Sequence, residues 1–270
     1  PSPLASADAA VAGAAYTTLL NLFPSQKNLL DTSLSTASFL NTGLDEGFDY
    51  GRSVALAILN DRKSDPNANA GEYVPSMARG KHRPDPDNPD LGYHAPYYGA
   101  ESKCFSVTTR HALNPPPQPS DTDYTSALRE VRSKGIAPEL MATVPAITLS
   151  VPPVTRRTID QTVIGIYWGY DGASGLGTPP RLYNQIIREI ALNKPNPNTG
   201  SLNTPLENAR LFAMANVAMA DAGILAWEQK YIHNFWRPVL GIREHDLSMG
   251  PTGTSNNNID NDCHSLWLPL

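Results

Sequence analysis

From Leu206 onward, the apolar positions Leu211, Ala215, Ala218, Ala222 and Leu225 recur at three-to-four spacing, the period of a helix with one apolar face. The small side chains on that face predict close packing against neighbouring helices. As one helix or as two broken near Gly223, this segment leads into Trp227 to Arg243, WEQKYIHNFWRPVLGIR. Lys230 and Arg237 stand seven positions apart there. Seven residues turn about 700° and rise roughly 10 Å, so a continuous helix puts both cations on one face. Pro238 then stops or kinks that helix directly after the arginine.

The remainder reads as further helices separated by proline-rich loops. Helical patterns run from Ala5 to about Phe23, Thr32 to Asn41, Leu44 to Leu59, Asp123 to Lys134, Thr155 to Tyr170 and Arg181 to Leu192. Ser120 or Asp121 suits the start of the fourth and Gly135 its stop. In the fifth, Ile159, Val163, Ile166 and Tyr167 are spaced for one buried face. The basic residues Arg129, Arg132 and Lys134 read as a solvated helix end. From Ser64 to Ala100 neither period survives, and Pro, Asp, Asn and Gly dominate, so a long surface loop is expected. His82, His94, Asp85, Asp87 and Asp90 lie in it, match no ligand motif, and read as polar loop groups. DGASGLGTPP lacks the lysine and Ser/Thr of a phosphate-cradling loop and reads as a turn. No period-2 alternation and no internal repeat is found. The expected fold class is all-α, a helical bundle joined by long Pro/Gly-rich loops.

The net charge of −5 gives no general reason to expect nucleic acid, and no apolar run reads as a membrane span, so neither is expected as a partner. A cation pair inside an acidic chain is therefore a local feature. Cys104 and Cys263 form no metal-like spacing, and a disulfide between them stays open. The start at Pro1 reads as processed or trimmed.

The pair itself has several readings. Cations on one helix face are commonly a solvated stripe, but Trp227, Tyr231, Ile232, Phe235 and Trp236 leave little of this helix to face water. A cation in apolar surroundings needs a partner, because an unpaired buried charge costs several kcal/mol or more. Glu228 or Asp171 can serve; so can a bound tetrahedral oxyanion such as phosphate or vanadate, which suits an arginine fork and a lysine point charge. His233 lies some 60° off the Lys230 face, so neither it nor His245 is assigned a role.

KYIHNFWRP resembles the first signature, K-x6-RP, of the vanadium haloperoxidase and type-2 acid phosphatase superfamily. The segments IGIYWGYDGASGLGTPPRLYNQI, ENARLFAMANVAMADAGILAWEQK and FWRPVLGIR look like the fungal-type vanadium chloroperoxidases in order and spacing, over roughly Thr158 to Leu270. The resemblance implies a helical bundle with a vanadate cofactor. It implies that Lys230 and Arg237 bind the vanadate oxygens, Lys230 also polarising the peroxide. It makes Asp171 the acid that orients the site arginines, and Trp227 an aromatic near the halide approach. It divides the chain into an N-terminal helical part, 1–157, and the first part of the vanadate-binding bundle, 158–270.

That superfamily also has a P-S-G-H motif and an arginine-histidine motif whose histidine ligates vanadium, and neither occurs in these 270 residues. No vanadium ligand is therefore expected in this chain. The apolar run Ser265 to Leu270 reads as continuing into the missing motifs, which makes the chain an N-terminal portion. Its C-terminal half is then a partner, carried on the same polypeptide or as a separate chain, and a homo-oligomer is left open. The activity implied is oxidation of bromide, iodide or chloride by hydrogen peroxide to a hypohalous acid. The alternatives are a phosphomonoesterase on the same scaffold, or a non-catalytic helical subunit whose cations serve a salt-bridge network.

Overall fold

The computed structural model of the chain describes residues 5–37, 44–65, 73–89, 102–143, 156–169, 179–254 and 259–270. These residues are helical, with isolated bridges and no named strand among them. The helices are α1 (Ala7–Leu22), α2 (Lys27–Thr36), α3 (Leu44–Asp61), α4 (Thr122–Lys134), α5 (Ile159–Trp168), α6 (Pro179–Asn193), α7 (Pro205–His233) and α8 (Pro238–Arg243). Short 3-10 turns cover Pro24–Gln26 and Pro138–Thr143. The all-α expectation holds. The chain forms two compact units: residues 1–70, 101–108 and 179–222, and residues 71–100, 109–178 and 223–270. Helix α7 supplies residues through Ala222 to the first and the rest to the second.

In the first unit α1 and α3 meet backbone to backbone through glycine. A Cβ added at Gly51 would lie 1.9 Å from the Ala10 carbonyl oxygen, and one at Gly13 2.3 Å from that of Phe48. The absence of side chains there is what lets the helices touch. The segment after Ser102 is held on α7 by Asp221, which is 3% exposed. Its carboxylate accepts from the backbone N–H groups of Phe105, Ser106 and Val107 at 2.5, 2.8 and 3.0 Å and from the Ser106 hydroxyl at 2.8 Å.

Burial alone would raise the Asp221 carboxyl, but these four hydrogen bonds to the ionised form outweigh it and bring its pKa from 3.8 to about 2. A depressed carboxylate stabilises the fold above its unfolded pKa, and that contribution is lost as pH falls from about 4 through 2. Asp221→Asn is expected to cost on the order of 2 kcal/mol at pH 7. It should also flatten the pH dependence of the melting temperature in that acid window, as read by calorimetry from pH 2 to 7.

The second unit is built around Tyr124, Leu128, Ile136, Trp236, Val239, Leu240, Ile242 and Trp267. Tyr124 and Leu128 are four apart on α4, and Arg132, four further on, is 1% exposed on the same stripe. The reading of Arg129, Arg132 and Lys134 as a solvated end is therefore corrected. Arg132 Nη1 donates to the Asn261 carbonyl at 2.5 Å, and Arg129 binds Asp262 through Nε and Nη2 at 2.8 and 2.9 Å. Lys134 alone of the three makes a surface pair, with Glu130. The last residues dock on the end of α4. Ala137 N–H donates to the Leu268 carbonyl and Leu270 N–H to that of Gly135, both at 2.8 Å.

Two other expectations change. Helix α5 starts as its sequence dictates, Thr158 and Gln161 forming a reciprocal capping box. Its spaced apolar residues, however, do not form a buried face. Ile159 is 84% exposed, and Val163, Ile166 and Tyr167 are all more exposed than covered. In α7 the 29 residues form one unbroken helix, long and apolar enough by length and composition to cross a membrane, contrary to the expectation that no such run exists. Ala218 and Ala222 on its predicted packing face are exposed. Asp221, on the same helix, is committed to protein backbone.

Candidate functional site

A helix break separates the two cations, and the picture of two turns of one continuous helix is corrected. Helix α7 ends at His233, and Asn234 takes a left-handed conformation with φ 46°. Asparagine tolerates that conformation better than the bulky residues around it. Arg237 then sits in extended backbone as the N-cap of α8, and Pro238 opens that helix instead of ending one. Pro at a first helical position loses no intrahelical hydrogen bond, and it holds the preceding residue extended.

A strap from the 73–89 loop fixes this break. Trp236 N–H donates to the Gly80 carbonyl at 3.0 Å, and His82 N–H to that of Asn234 at 3.2 Å. The Tyr73 hydroxyl lies 2.7 Å from the His82 carbonyl and 2.6 Å from Asn234 Oδ1. One hydroxyl proton cannot serve both; an Asn234 amide turned to donate toward Tyr73, while Tyr73 donates to His82, satisfies all three. Further along, Arg79 Nη1 donates to the Glu244 carbonyl at 2.5 Å, Arg83 pairs with Glu244, and Asp87 with Arg243. Asp85 closes its own turn, accepting from Asp87 N–H and the Asn88 amide. The described part of the loop thus uses its charges structurally, as expected; His94 and Asp90 lie outside the described residues.

Lys230 and Arg237 lie within electrostatic reach of one another and of His82 on this strap. Burial and the charge of Arg237 lower the Lys230 pKa, and burial followed by Arg237 and Lys230 lowers that of His82. Burial raises the Tyr231 hydroxyl, and Arg237 acts against it. Both cations are nevertheless exposed, as is Ile232, which corrects the expectation that little of this helix faces water. Trp236 is the deeply buried member of the run. Lys230 Nζ lies 4.3 Å from the Trp227 ring centroid, a cation–π contact. Glu228, one candidate counter-ion, faces Arg110 instead, at 3.1 Å. Asp171, the other, lies outside the described residues. Among the described residues neither Lys230 nor Arg237 pairs with a carboxylate. Lys230, its pKa lowered by burial and by the charge of Arg237, and Arg237 offer only donors, a set that suits a small oxyanion and not a metal cation.

His245, Asp260 and Asp262 form a second cluster, with ligand atoms within 4.8 Å of one another. Asp262 is already held by Arg129 and lies 3.7 Å from Arg132, and the His245 ring stacks on Tyr124. Two guanidinium groups against one of its carboxylates make this an ion-pair network bracing Asn261 and Asp262 on α4. Cys104 and Cys263 are both free thiols, and Cys263 donates to the Arg243 carbonyl at 3.1 Å.

Fold and site together define a helical chain with an exposed lysine–arginine pair that has no carboxylate partner among the described residues. Residues 210–269, which hold the pair and its strap-bound break, match the family model described as the VCPO second helical-bundle domain. The chain is also 34% identical over 248 residues to the vanadium chloroperoxidase of Curvularia inaequalis, covering 78% of this chain and 38% of that relative. The chain is thus related to the vanadium chloroperoxidases over most of its own length, and it spans about two fifths of the length of the curated relative it matches.

Proposed function

We propose that this chain supplies one side of the vanadate pocket of a vanadium-dependent haloperoxidase, which oxidises bromide, iodide or chloride with hydrogen peroxide to a hypohalous acid. The observation that carries the proposal is that Lys230 and Arg237, within electrostatic reach of one another, have no carboxylate partner among the described residues, inside the stretch that the family model matches. The donor set fits vanadate, since a guanidinium fork and an ammonium together satisfy several oxygens of one tetrahedral anion. When bound, vanadate supplies Lewis-acid activation of hydrogen peroxide toward a halide. Arg237, whose backbone is the α8 N-cap, holds negative charge through its guanidinium fork. Lys230 places a positive charge where electron density must be withdrawn, and the Trp227 ring beneath it restricts its side chain. Trp227 also forms part of the apolar wall on the halide approach, and Asp171 orients neighbouring arginines.

The exposed face of α5 supports a further part of the reading. Ile159, Val163 and Ile166 present apolar surface that the C-terminal half of the protein is proposed to cover, bringing the remaining pocket residues with it. The test is a halogenation assay on the full-length protein with orthovanadate, hydrogen peroxide and each halide in turn. Vanadate-dependent halogenation is expected. Hydrolysis of p-nitrophenyl phosphate without halogenation would assign the scaffold to the phosphomonoesterases instead.

A further inference from the structure

We propose that Tyr73 is a positioning residue for this pocket: its hydroxyl, acting through the Asn234 side chain, fixes the left-handed turn between α7 and α8 and so sets where Arg237 stands relative to Lys230. The inference rests on the oxyanion reading of that pair and adds the residue that holds its spacing.

The turn itself points to a tether. Among the described residues Asn234 is the one non-glycine with a positive φ. Glycine adopts that conformation at the least steric cost, whereas asparagine tolerates it and also brings a side-chain amide. Here the amide is used. Asn234 Oδ1 lies 2.6 Å from the Tyr73 hydroxyl, which donates to the His82 carbonyl at 2.7 Å. The Tyr73 ring packs on that of Tyr231, centroids 5.2 Å apart, one residue after Lys230. A single side chain of the strap therefore touches both the last turns of α7 and the break that follows them.

The backbone around the turn is pinned on both sides. Asn234 N–H donates to the Lys230 carbonyl at 2.9 Å, and the Asn234 carbonyl accepts from His82 N–H at 3.2 Å. Trp236 N–H donates to the Gly80 carbonyl, and the Arg237 carbonyl accepts from the N–H groups of Leu240 and Gly241, all at 3.0 Å. Only Asn234, Phe235 and Trp236 stand between the end of α7 and Arg237. A change of φ at Asn234 would swing Arg237 about the end of α7, away from the turn that carries Lys230. An anion held by both cations binds only the population in which their spacing is right. Tyr73 raises that population by supporting the one conformation that asparagine would not favour unaided.

The experiment is isothermal titration of the full-length protein with orthovanadate at pH 7. Wild type, Tyr73→Phe, Asn234→Gly, Arg237→Ala and the double variant of Tyr73→Phe with Arg237→Ala are compared. Tyr73→Phe keeps the ring on Tyr231 and removes the hydroxyl, and orthovanadate binding is expected to weaken about three- to tenfold, the value of one hydrogen bond. Asn234→Gly keeps the left-handed backbone accessible and removes the amide, and a loss of similar size is expected. In the Arg237→Ala background, Tyr73→Phe is expected to change affinity less than about twofold, since the side chain it positions is gone. A general loosening of the fold would weaken binding alike in both backgrounds. That result, or wild-type affinity in either Tyr73→Phe or Asn234→Gly, would overturn the role given to Tyr73. Wild-type orthovanadate affinity in Arg237→Ala would instead overturn the oxyanion reading of the pair, so the two failures are told apart.

Discussion

Lys230→Ala is expected to weaken orthovanadate binding by about ten- to a hundredfold, the equivalent of one hydrogen bond to a charged group. Halide oxidation by the full-length protein is expected to fall by about a hundredfold or more, as when a preorganised charge donor is removed from a reacting oxyanion. Stability without ligand should barely move. The substitution removes a cation–π contact with Trp227 worth about 0.5–1 kcal/mol, and it also removes a repulsion between Lys230 and Arg237. This contrast separates an anion site from a structural network. If the two cations served a salt-bridge network, the variant would melt lower in the absence of any anion. Vanadate at a hundred times its dissociation constant should add about 2.7 kcal/mol to the stability of the wild-type protein. In the variant that increment should fall to about 0.4–1.4 kcal/mol at the same concentration. Paired melting curves, with and without orthovanadate, give both readouts from one preparation.

The proximity on which this rests is readable in the sequence, but for a different reason than helical spacing. Lys230 and Arg237 are within electrostatic reach of one another, but no continuous helix runs through both. The run HNFWRP contains no glycine, and its aromatic residues suit a helix as well as a loop, so periodicity alone carries α7 through it. The signal that marks the break is Arg237-Pro238 read in the other direction. Proline favours the first turn of a helix and forces its predecessor into extended backbone, which places a new helix start at Pro238 and leaves Asn234 to absorb the turn. Arg132 offers a similar lesson. Its charge suggests solvent, but Tyr124, Leu128 and Arg132 are spaced four apart, and that spacing puts the guanidinium on the apolar stripe.

Helix identities are legible because their punctuation is local: Thr158 with Gln161 begins α5, and Gly135 ends α4. Burial is not local, and there the sequence is a weaker guide. The three-to-four spacing of Ile159, Val163 and Ile166 records that the face is suited to burial, not that this chain supplies the cover. The strap shows the same limit from the other side. Nothing in the composition of Ser64 to Ala100 distinguishes Tyr73 and His82 from their neighbours; the long-range contacts to Asn234 and Tyr231 do. Asp171, with the Gly-rich segment after it, lies outside the described residues, and its role is carried by the resemblance of its motif alone.

Trp267→Ala is expected to have the largest effect on stability, about 3–5 kcal/mol. The side chain is 2% exposed in the core of the second unit, and its indole N–H donates to the Arg132 carbonyl at 3.0 Å. Its own carbonyl accepts from Arg243 Nε at 2.8 Å, and Arg243 also pairs with Asp87 of the loop that carries the strap. Truncation therefore opens a large cavity and leaves a buried carbonyl without its donor. Such a loss is a fifth or more of the stability of a typical domain. Trp267→Phe keeps most of the packing and loses the N–H, so about 1–3 kcal/mol is expected for it. Denaturant unfolding followed by tryptophan fluorescence and circular dichroism measures both. The effect should extend to function, because α8 and the strap are tied to the same core through Arg243. Orthovanadate affinity in Trp267→Ala should fall at temperatures where the protein is still folded by circular dichroism, and in Trp267→Phe it should stay near the wild-type value. Equal affinity in both variants would show that the cation pair is held by the strap alone, independently of the core beneath it.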